Sequence, residues 1–271
     1  MKIFFNRVFI RIKILLFGVN NVSKIFTVKT SFKILNYYKL YFDLIKRLKS
    51  EDGGFNTRGI FELSYPTIFS GGSSFFPKIL GTYEKELTSF FLDMNKYKEF
   101  IDIGCAEGYY VNGVAKSSKH IRCSGYDINV KSIKFANLLK EHNEIINSNF
   151  YLSKFDLNHK FENNDRKLVL IDIEGAEVEF ENEMYANYFA NNNCDLIVEM
   201  HDFYGNLGLT KNFISTYNKL FNYQIIFSID DILKISTYDV NFEFINDFQK
   251  FIALRERGHS NHWLILTKRD V

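Results

Sequence analysis

The sequence predicts an α/β fold in which helices cover both faces of a doubly wound, mostly parallel seven-stranded sheet. Three observations predict it. Apolar runs that suit buried strands alternate with runs of helical periodicity. The strand runs, such as residues 168–171, are apolar at every position, as in a sheet covered on both faces. A chain of 271 residues with 46% apolar residues is also large enough for one such core and an extension.

The predicted elements follow one another in a regular order. A helix over residues 41–48 precedes an aromatic stretch, residues 55–80, with turn signals and short strands, and a helix over 84–94 leads into the core. Strands are expected near residues 99–103, 121–127, 149–154, 168–173, 194–200, 223–229 and 262–267. Helices are expected near residues 107–117, 130–142, 177–190 and 210–221, with one more inside 230–258.

The first core strand ends in a turn of small residues. Residues 100–108 read Phe-Ile-Asp-Ile-Gly-Cys-Ala-Glu-Gly, so Asp102 is followed by Gly104, Ala106 and Gly108 before the next helix begins. Such a turn lets a ligand touch backbone N–H groups. A carboxylate at Asp102 would repel a pyrophosphate and attract an ammonium or sulfonium group. The pattern therefore favours S-adenosylmethionine over a dinucleotide.

Two further acids follow the next strands. Asp127 lies about 20 residues beyond the glycine turn, a spacing at which an acid can bind ribose hydroxyls. Its alternative role is the N-cap of the helix over 130–142. Asp156 follows the third strand and is a candidate acceptor for the adenine amino group, or else an acid of a surface turn.

Polar side chains cluster after the fourth and fifth strands: Asp172, Glu174, Glu177, Glu199, His201 and Asp202. Several acids at one sheet edge repel each other unless a proton, a cation or a charged ligand is shared. A histidine there suits a general base near neutral pH. We expect His201 or Asp172 to act as the catalytic base. A divalent cation held by Asp172, Glu174, His201 and Asp202 is the second route.

These motifs together resemble those of class I S-adenosylmethionine-dependent methyltransferases. The segments are Ile-Asp-Ile-Gly-Cys-Ala-Glu-Gly, Gly-Tyr-Asp, Ile-Asp-Ile-Glu-Gly-Ala-Glu and Leu-Ile-Val-Glu-Met-His, within residues 80–267. The chain is most similar to the FkbM type, whose signature Asp-x-Glu-Gly-x-Glu matches residues 172–177. One departure is Ala106, where many relatives have glycine. The resemblance implies a Rossmann-like fold, S-adenosylmethionine as cofactor, and O-methylation of a sugar, a glycan precursor or another small molecule.

The resemblance also implies a domain division and roles. Residues 99–271 would form the cofactor-binding domain, and residues 51–98 a segment that closes over the cofactor. Asp102 and its turn would hold the amino-acid end. Tyr83 and Glu84 would lie in the closing segment, or simply start a helix. Two other function classes stay open: a nicotinamide-dependent oxidoreductase, disfavoured by the missing Gly-x-Gly-x-x-Gly, and a non-catalytic binding or membrane-adaptor module.

The near-neutral net charge of +2 hides an uneven distribution. Residues 1–50 contain eleven basic residues and one acid, so this extension carries +10 and the remainder −8. An acidic body does not suit nucleic acid. The three cysteines show no paired spacing, which predicts reduced, buried thiols and a cytoplasmic protein. No apolar run in residues 1–20 is long enough to span a membrane, and no cleavage site follows.

The basic extension predicts peripheral contact with the inner face of a membrane. Near an anionic bilayer each Lys or Arg contributes about 1 kcal/mol, falling off over a Debye length. We expect the whole chain to sediment with anionic liposomes at low salt and less at high salt, and a chain starting at residue 51 to stay in the supernatant. If residues 1–50 instead pack on the domain, neither form will sediment, and the shortened chain will lose stability or activity.

Overall fold

The computed structural model describes residues 28–51, 53–71, 73–202, 208–238, 247–256 and 261–270. The chain divides into two compact units, Met1–Arg47 and Leu48–Val271. The described residues of the first unit belong to helix α1, which spans Val28–Leu48. The last turn of this helix carries Lys46 and Arg47. Our expectation for residues 1–27 lies outside the described residues. None of the described helices has the length and apolar character needed to cross a membrane.

The second unit contains the predicted seven-stranded sheet. Its strands are β3 (Glu99–Ile103), β4 (Arg122–Asp127), β5 (Ser148–Leu152), β6 (Lys167–Ile171), β7 (Cys194–Met200), β8 (Phe221–Phe227) and β9 (His262–Lys268). They lie in the order β5-β4-β3-β6-β7-β9-β8. Strand β9 runs in the direction opposite to the other six strands. The predicted fold class is confirmed. A separate antiparallel pair, β1 (Phe55–Asn56) and β2 (Ser64–Tyr65), lies ahead of the sheet.

Helices connect the strands, as the sequence predicts. They are α2 (Phe75–Leu80), α3 (Thr88–Leu92), α4 (Tyr109–Ser117), α5 (Val130–His142), α6 (Glu183–Asn191), α7 (Gly208–Tyr217), α8 (Asp231–Thr237) and α9 (Asp247–Leu254). The expectation of one helix over 177–190 is wrong in its first part. A 3₁₀ turn occupies Ala176–Phe180, and a new helix starts where the Asn182 side chain accepts a hydrogen bond from the backbone of Tyr185. Helix α2 was not predicted.

The core lies on both faces of the central strands. Every residue of β3, β6 and β7 is buried, and the side chains of Phe189 and Phe213 pack on the same cluster. Burial of each such large apolar side chain contributes about 1.5–3 kcal/mol. The three cysteines are buried and unpaired, which confirms that part of the expectation. Burial raises the pKa of their thiols, so they stay protonated near neutral pH.

Charged groups at the amino ends of the strands satisfy one another. The Arg166 guanidinium donates to both carboxylate oxygens of Asp195, at 3.0 and 3.1 Å, and the Tyr97 hydroxyl donates to Asp195 at 2.8 Å. The buried Lys167 ammonium donates to three backbone carbonyl oxygens, those of Asn163, Asp165 and Asn192. Because each charge has hydrogen-bonding partners, this edge of the sheet serves stability.

The carboxyl ends of β3 and β6 meet where the order of the strands reverses. The chain leaves β3 for β4 on one side and later returns to β6 on the other. Ligands of open α/β sheets bind at such a switch point. Gly104, directly after β3, has a φ of 94°, and a Cβ there would lie 1.7 Å from the carbonyl oxygen of Asp172. The two loops therefore approach closely only because residue 104 has no side chain.

This contact predicts that Gly104→Ala destabilises the fold by more than ~4 kcal/mol, because backbone must move to admit the methyl group. Gly53→Ala is the matched control. Gly53 also has a positive φ, 90°, but the nearest atom to its added Cβ lies 3.8 Å away, so only the backbone penalty of about 1–2 kcal/mol remains. Chemical denaturation of both variants measures the difference. Equal losses would show that the close approach does not matter.

Candidate active site

The glycine turn is tied to the end of β4 by backbone groups. The N–H groups of Gly104 and Cys105 both donate to the carbonyl oxygen of Tyr126, at 2.8 and 3.0 Å. The N–H of Ala106 donates to Asp127 Oδ2 at 2.9 Å. Ala106 has a φ of 46°, a left-handed conformation that glycine adopts more easily. The Asp127 carboxylate therefore helps to hold the turn in the conformation that exposes it to a ligand.

Asp127 is not the N-cap of the following helix. That position belongs to Asn129, whose side-chain oxygen accepts from the backbone N–H of Lys131 at 2.9 Å. Asp127 Oδ1 accepts from the N–H of Asn129 at 2.7 Å, so both carboxylate oxygens receive backbone hydrogen bonds. Burial raises the pKa of Asp127, and these two hydrogen bonds oppose that shift. The alternative interpretation as a helix cap is thus wrong, while the ribose role stays a prediction.

One pocket of about 580 Å³ opens at the carboxyl ends of the strands. Eight of the ten predicted site residues line it: Tyr83, Glu84, Asp102, Gly104, Ala106, Asp127, Asp172 and His201. The other two do not. Gly108 begins α4, where an added Cβ would lie 2.8 Å from the Phe150 ring, so its glycine serves packing. Asp156 is exposed and accepts from the N–H of Asn158 at 2.7 Å, as a turn acid does.

Asp102 is one of the buried acids that line this pocket. Its side chain is 2% exposed, and burial raises the pKa of its carboxyl well above the usual value. The negative charges of Asp172, Glu84 and Asp127 raise it further, whereas Lys78 lowers it. A cationic group bound beside Asp102 would restore its negative charge. This is the electrostatic setting that an ammonium or sulfonium ligand requires.

The predicted closing segment forms one wall of the pocket. Glu84 is 3% exposed, adopts a φ of 43°, and accepts a hydrogen bond from the Tyr110 hydroxyl. Its backbone N–H donates to Glu256 Oε2 at 3.1 Å, and Glu256 pairs with Lys234 at 3.0 Å. Burial raises the pKa of Glu256 to about 8, with Lys234 opposing the shift. Residues 51–98 belong to the same compact unit as the sheet.

His201 directly follows β7 and also lines the pocket. Its Nδ1 hydrogen-bonds Glu177 Oε1 at 2.9 Å, and its Nε2 is 3.6 Å from Glu174 and 3.8 Å from Glu199. Burial lowers the pKa of His201, but the hydrogen bond and charge of Glu177, with Asp172 and Glu174, raise it above its usual value. Glu177 has a lowered pKa, because the bond with His201 outweighs its burial. The ring is therefore fixed with Nε2 directed away from Glu177.

The structure changes the set of residues that can hold a cation. Asp172, Glu199 and His201 each offer one ligand atom, and these atoms lie within 4.8 Å of one another. Asp202 does not join them, because its carboxylate accepts hydrogen bonds from the Leu209 N–H at 3.0 Å and from Thr210. It caps the start of α7 instead. Our expectation that Asp202 could be a ligand is wrong for this reason. Glu174 is not in the cluster either, and Glu199 is its third member.

The pocket also contains residues that the sequence patterns did not identify. Lys78, Glu256 and Asn261 line it, and Asn261 Nδ2 donates to Glu199 Oε1 at 2.9 Å. They come from segments before and after the regular alternation of strands and helices, where no motif marks a function. The one sequence feature that could have indicated them is the presence of isolated polar residues among aromatic ones. That pattern is also common in ordinary cores, so it does not identify a site.

Comparison with solved structures finds partial similarity. The bifunctional kinase-methyltransferase WbdD shares 13% identity at a TM-score of 0.46, over 71% of this chain and 39% of that one. A precorrin-6y C5,15-methyltransferase from Geobacter metallireducens GS-15 shares 9% identity at a TM-score of 0.47, over 69% of this chain and 88% of that one. An S-adenosylmethionine-dependent O-methyltransferase from Thermotoga maritima shares 9% identity at a TM-score of 0.44, over 69% of this chain and 66% of that one. This chain thus spans about two fifths of the WbdD chain. No curated protein matches.

A family model provides the more direct comparison. Residues 94–204 match a family described as a methyltransferase domain. The matched stretch begins just before β3 and ends just after β7. It includes Asp102, the glycine turn, Asp127, Asp172 and His201, which all belong to the elements described above. The match covers about two fifths of the chain and shows what residues 94–204 are similar to.

Proposed function

We propose that this methyltransferase domain binds S-adenosylmethionine and methylates a hydroxyl group on a sugar, a glycan precursor or another small molecule. The observation that carries the proposal is a single pocket that brings Asp102, Asp127 and His201 together at the switch point of the sheet. The signature at residues 172–177 supports the FkbM type. Lys78, Tyr83, Glu84, Glu256 and Asn261 line the pocket from outside the matched residues, and they would shape the acceptor site.

The donor would lie across the ends of β3 and β4. Its amino-acid end would face Asp102, and its ribose would face Asp127, on either side of the glycine turn. Ile128 is 70% exposed and lines the pocket next to Asp127, so it offers an apolar surface to the adenine ring. Asp156 keeps its predicted adenine role only if its turn moves toward the ligand, since it does not line the pocket.

The methyl acceptor would lie between the donor and His201. With Nδ1–H bonded to Glu177, the neutral ring presents the Nε2 lone pair as a base. His201 would take the proton of the acceptor hydroxyl, and bound S-adenosylmethionine would supply the methyl group to that oxygen, with the thioether as its leaving group. The sulfonium is already an activated leaving group, so the remaining task is alignment. Asp172, next to the glycine turn, would orient the acceptor hydroxyl.

Two further parts of the proposal concern the basic extension at residues 1–50 and the cluster of possible cation ligands. Residues 1–50 would bring the enzyme to the inner face of an anionic membrane, with the catalytic unit in the cytoplasm. A divalent cation on Asp172, Glu199 and His201 would be the alternative means of activating the acceptor. It would make His201 a ligand, so the two routes exclude one another.

The cofactor assignment predicts that Asp127→Ala weakens binding of S-adenosylmethionine by roughly tenfold to a hundredfold, because an acceptor for two ribose hydroxyls is lost. Asp127→Asn keeps one acceptor oxygen for the Ala106 N–H and separates support of the turn from ribose binding. Calorimetric titration of the folded variants measures both. An unchanged dissociation constant in Asp127→Ala would remove this residue from the cofactor site.

The base assignment predicts a pH profile. Because neighbouring acids raise the pKa of His201, the acidic limb of kcat/KM for transfer of a labelled methyl group should lie above the ordinary histidine value of about 6.5. Glu177→Gln removes a negative charge and should shift that limb to lower pH. His201→Ala should lower kcat far more than cofactor affinity.

Three outcomes would contradict this mechanism. A limb that does not move in Glu177→Gln would exclude His201 as the titrating base. Activity lost on adding a chelator and restored by Mg²⁺ would assign Asp172, Glu199 and His201 to a cation. Donor binding without transfer to any hydroxylated acceptor in a broad panel would favour the non-catalytic module.

A further inference from the structure

The charges that line the pocket do not match those of the proposed donor. Eight carboxylate side chains line it, against two lysines, Lys78 and Lys154, within the described part of the chain. The amino-acid end of S-adenosylmethionine carries both an ammonium and a carboxylate group. Asp102 suits the ammonium group. A buried carboxylate also needs a cation or several N–H donors close to it, or its desolvation opposes binding.

Of the two lysines, only Lys78 is buried. Its side chain is 2% exposed, whereas that of Lys154 is 66% exposed and pairs with Glu179 at 2.7 Å. The Lys78 ammonium lies over the rings of Tyr83 and Tyr109, 4.6 and 5.0 Å from their centroids. Both rings also line the pocket. Lys78 belongs to the predicted closing segment and lies next to Tyr83 of that segment and Tyr109 at the start of α4.

The hydrogen bonds of Lys78 leave room for one more partner. Its ammonium donates to Ser73 Oγ and to the Glu107 carboxylate. An ammonium has three N–H donors, and the buried Lys167 uses all three on backbone carbonyls. The third donor of Lys78 has no acceptor among the described residues. A buried lysine that lines a ligand pocket with an unused donor is suited to an anionic ligand group.

The partner of Lys78 is itself well satisfied. Glu107 is fully buried and accepts from the Gly71 N–H at 2.7 Å and from Ser73 Oγ at 3.1 Å, besides Lys78. Burial alone would raise the pKa of Glu107, but Lys78 and these donors lower it, so the carboxylate is charged. The pair joins Lys78 to the glycine turn. This ion pair and the hydrogen bond to Ser73 fix the position of the Lys78 side chain.

We propose that Lys78 binds the carboxylate group at the amino-acid end of S-adenosylmethionine, while Asp102 binds the ammonium group. Both side chains line the same pocket, next to the same glycine turn. Lys78 is near enough to Asp102 for its charge to lower the pKa of that acid. The assignment rests on the proposed function, because it concerns the same donor site. It makes Lys78 a residue that selects a donor with an intact amino-acid end.

Decarboxylated S-adenosylmethionine tests this assignment, since it keeps the sulfonium and amino groups but lacks the carboxylate. Calorimetric titration of the full wild-type chain should give a dissociation constant roughly tenfold to a hundredfold larger for this analogue than for S-adenosylmethionine. In Lys78→Met the two constants should become equal within about threefold, mainly through weaker binding of S-adenosylmethionine. Lys154→Met, the matched control, should keep the wild-type preference.

The comparison of the two compounds on the wild-type protein does not depend on any variant, so misfolding of Lys78→Met cannot invalidate it. The double variant Lys78→Met/Glu107→Gln is a second safeguard, because it leaves no unpaired buried carboxylate. Equal binding of both compounds by the wild type would overturn the role of Lys78 and leave the proposed function intact. So would a Lys78→Met protein that loses affinity for both compounds equally, since that is the result of a purely structural ion pair. Binding of neither compound by the wild type would overturn both proposals.

Discussion

The close approach of Gly104 to the backbone of Asp172 is the constraint on which the rest of the site depends. Gly104 lies where three strands are linked: its own N–H donates to Tyr126 at the end of β4, and the Asp172 N–H donates to Ile103 at the end of β3, at 2.9 Å. The turn after β3 is thereby held against the loops after β4 and β6. Asp102, Asp127 and Asp172 come from these three strand ends, so their proximity follows from that contact.

Charged groups are arranged differently at the two ends of the strands. At the amino ends, Arg166, Lys167 and Asp195 saturate their hydrogen bonds with protein groups. At the carboxyl ends, acids outnumber the neighbouring bases, and the pKa of Asp102 is raised first by its burial and then by the charges of nearby acids. Folding does not require this excess, and it costs free energy through repulsion and desolvation. An unbalanced edge opposite a balanced one is typical of a binding site.

The sequence was sufficient for the sheet because its strands are determined by local patterns. Runs such as residues 168–171 are apolar throughout, and the turns between them carry glycine or polar residues, so β3 to β9 begin and end within two or three residues of their predicted positions. Asp102, Asp127 and Asp172 could be predicted in the same way, because they lie at strand ends. The short helix α2 was missed, because a six-residue helix with a proline has little periodicity to detect.

The rest of the site could not be predicted from local patterns. Lys78 and Glu256 are separated by more than 170 residues and reach the pocket only through the packing of α2 and the end of α9. The role of Asn129 as the helix cap, rather than Asp127, depends on backbone angles that no spacing rule gives. The orientation of His201 depends on Glu177, which itself lies in a 3₁₀ turn that the sequence suggested as ordinary helix.

The pocket draws its walls from residues as far apart as Gly71 and Asn261. No short fragment of the unit therefore contains the whole site, and during synthesis the site is completed only when Asn261, next to the last strand of the sheet, is available. Contacts between such distant residues form late and slowly in folding. A ligand in this pocket binds only the fully folded unit, and its binding free energy adds to the stability of the entire sheet instead of one loop. The concentration of such a ligand would then change the equilibrium fraction of folded protein.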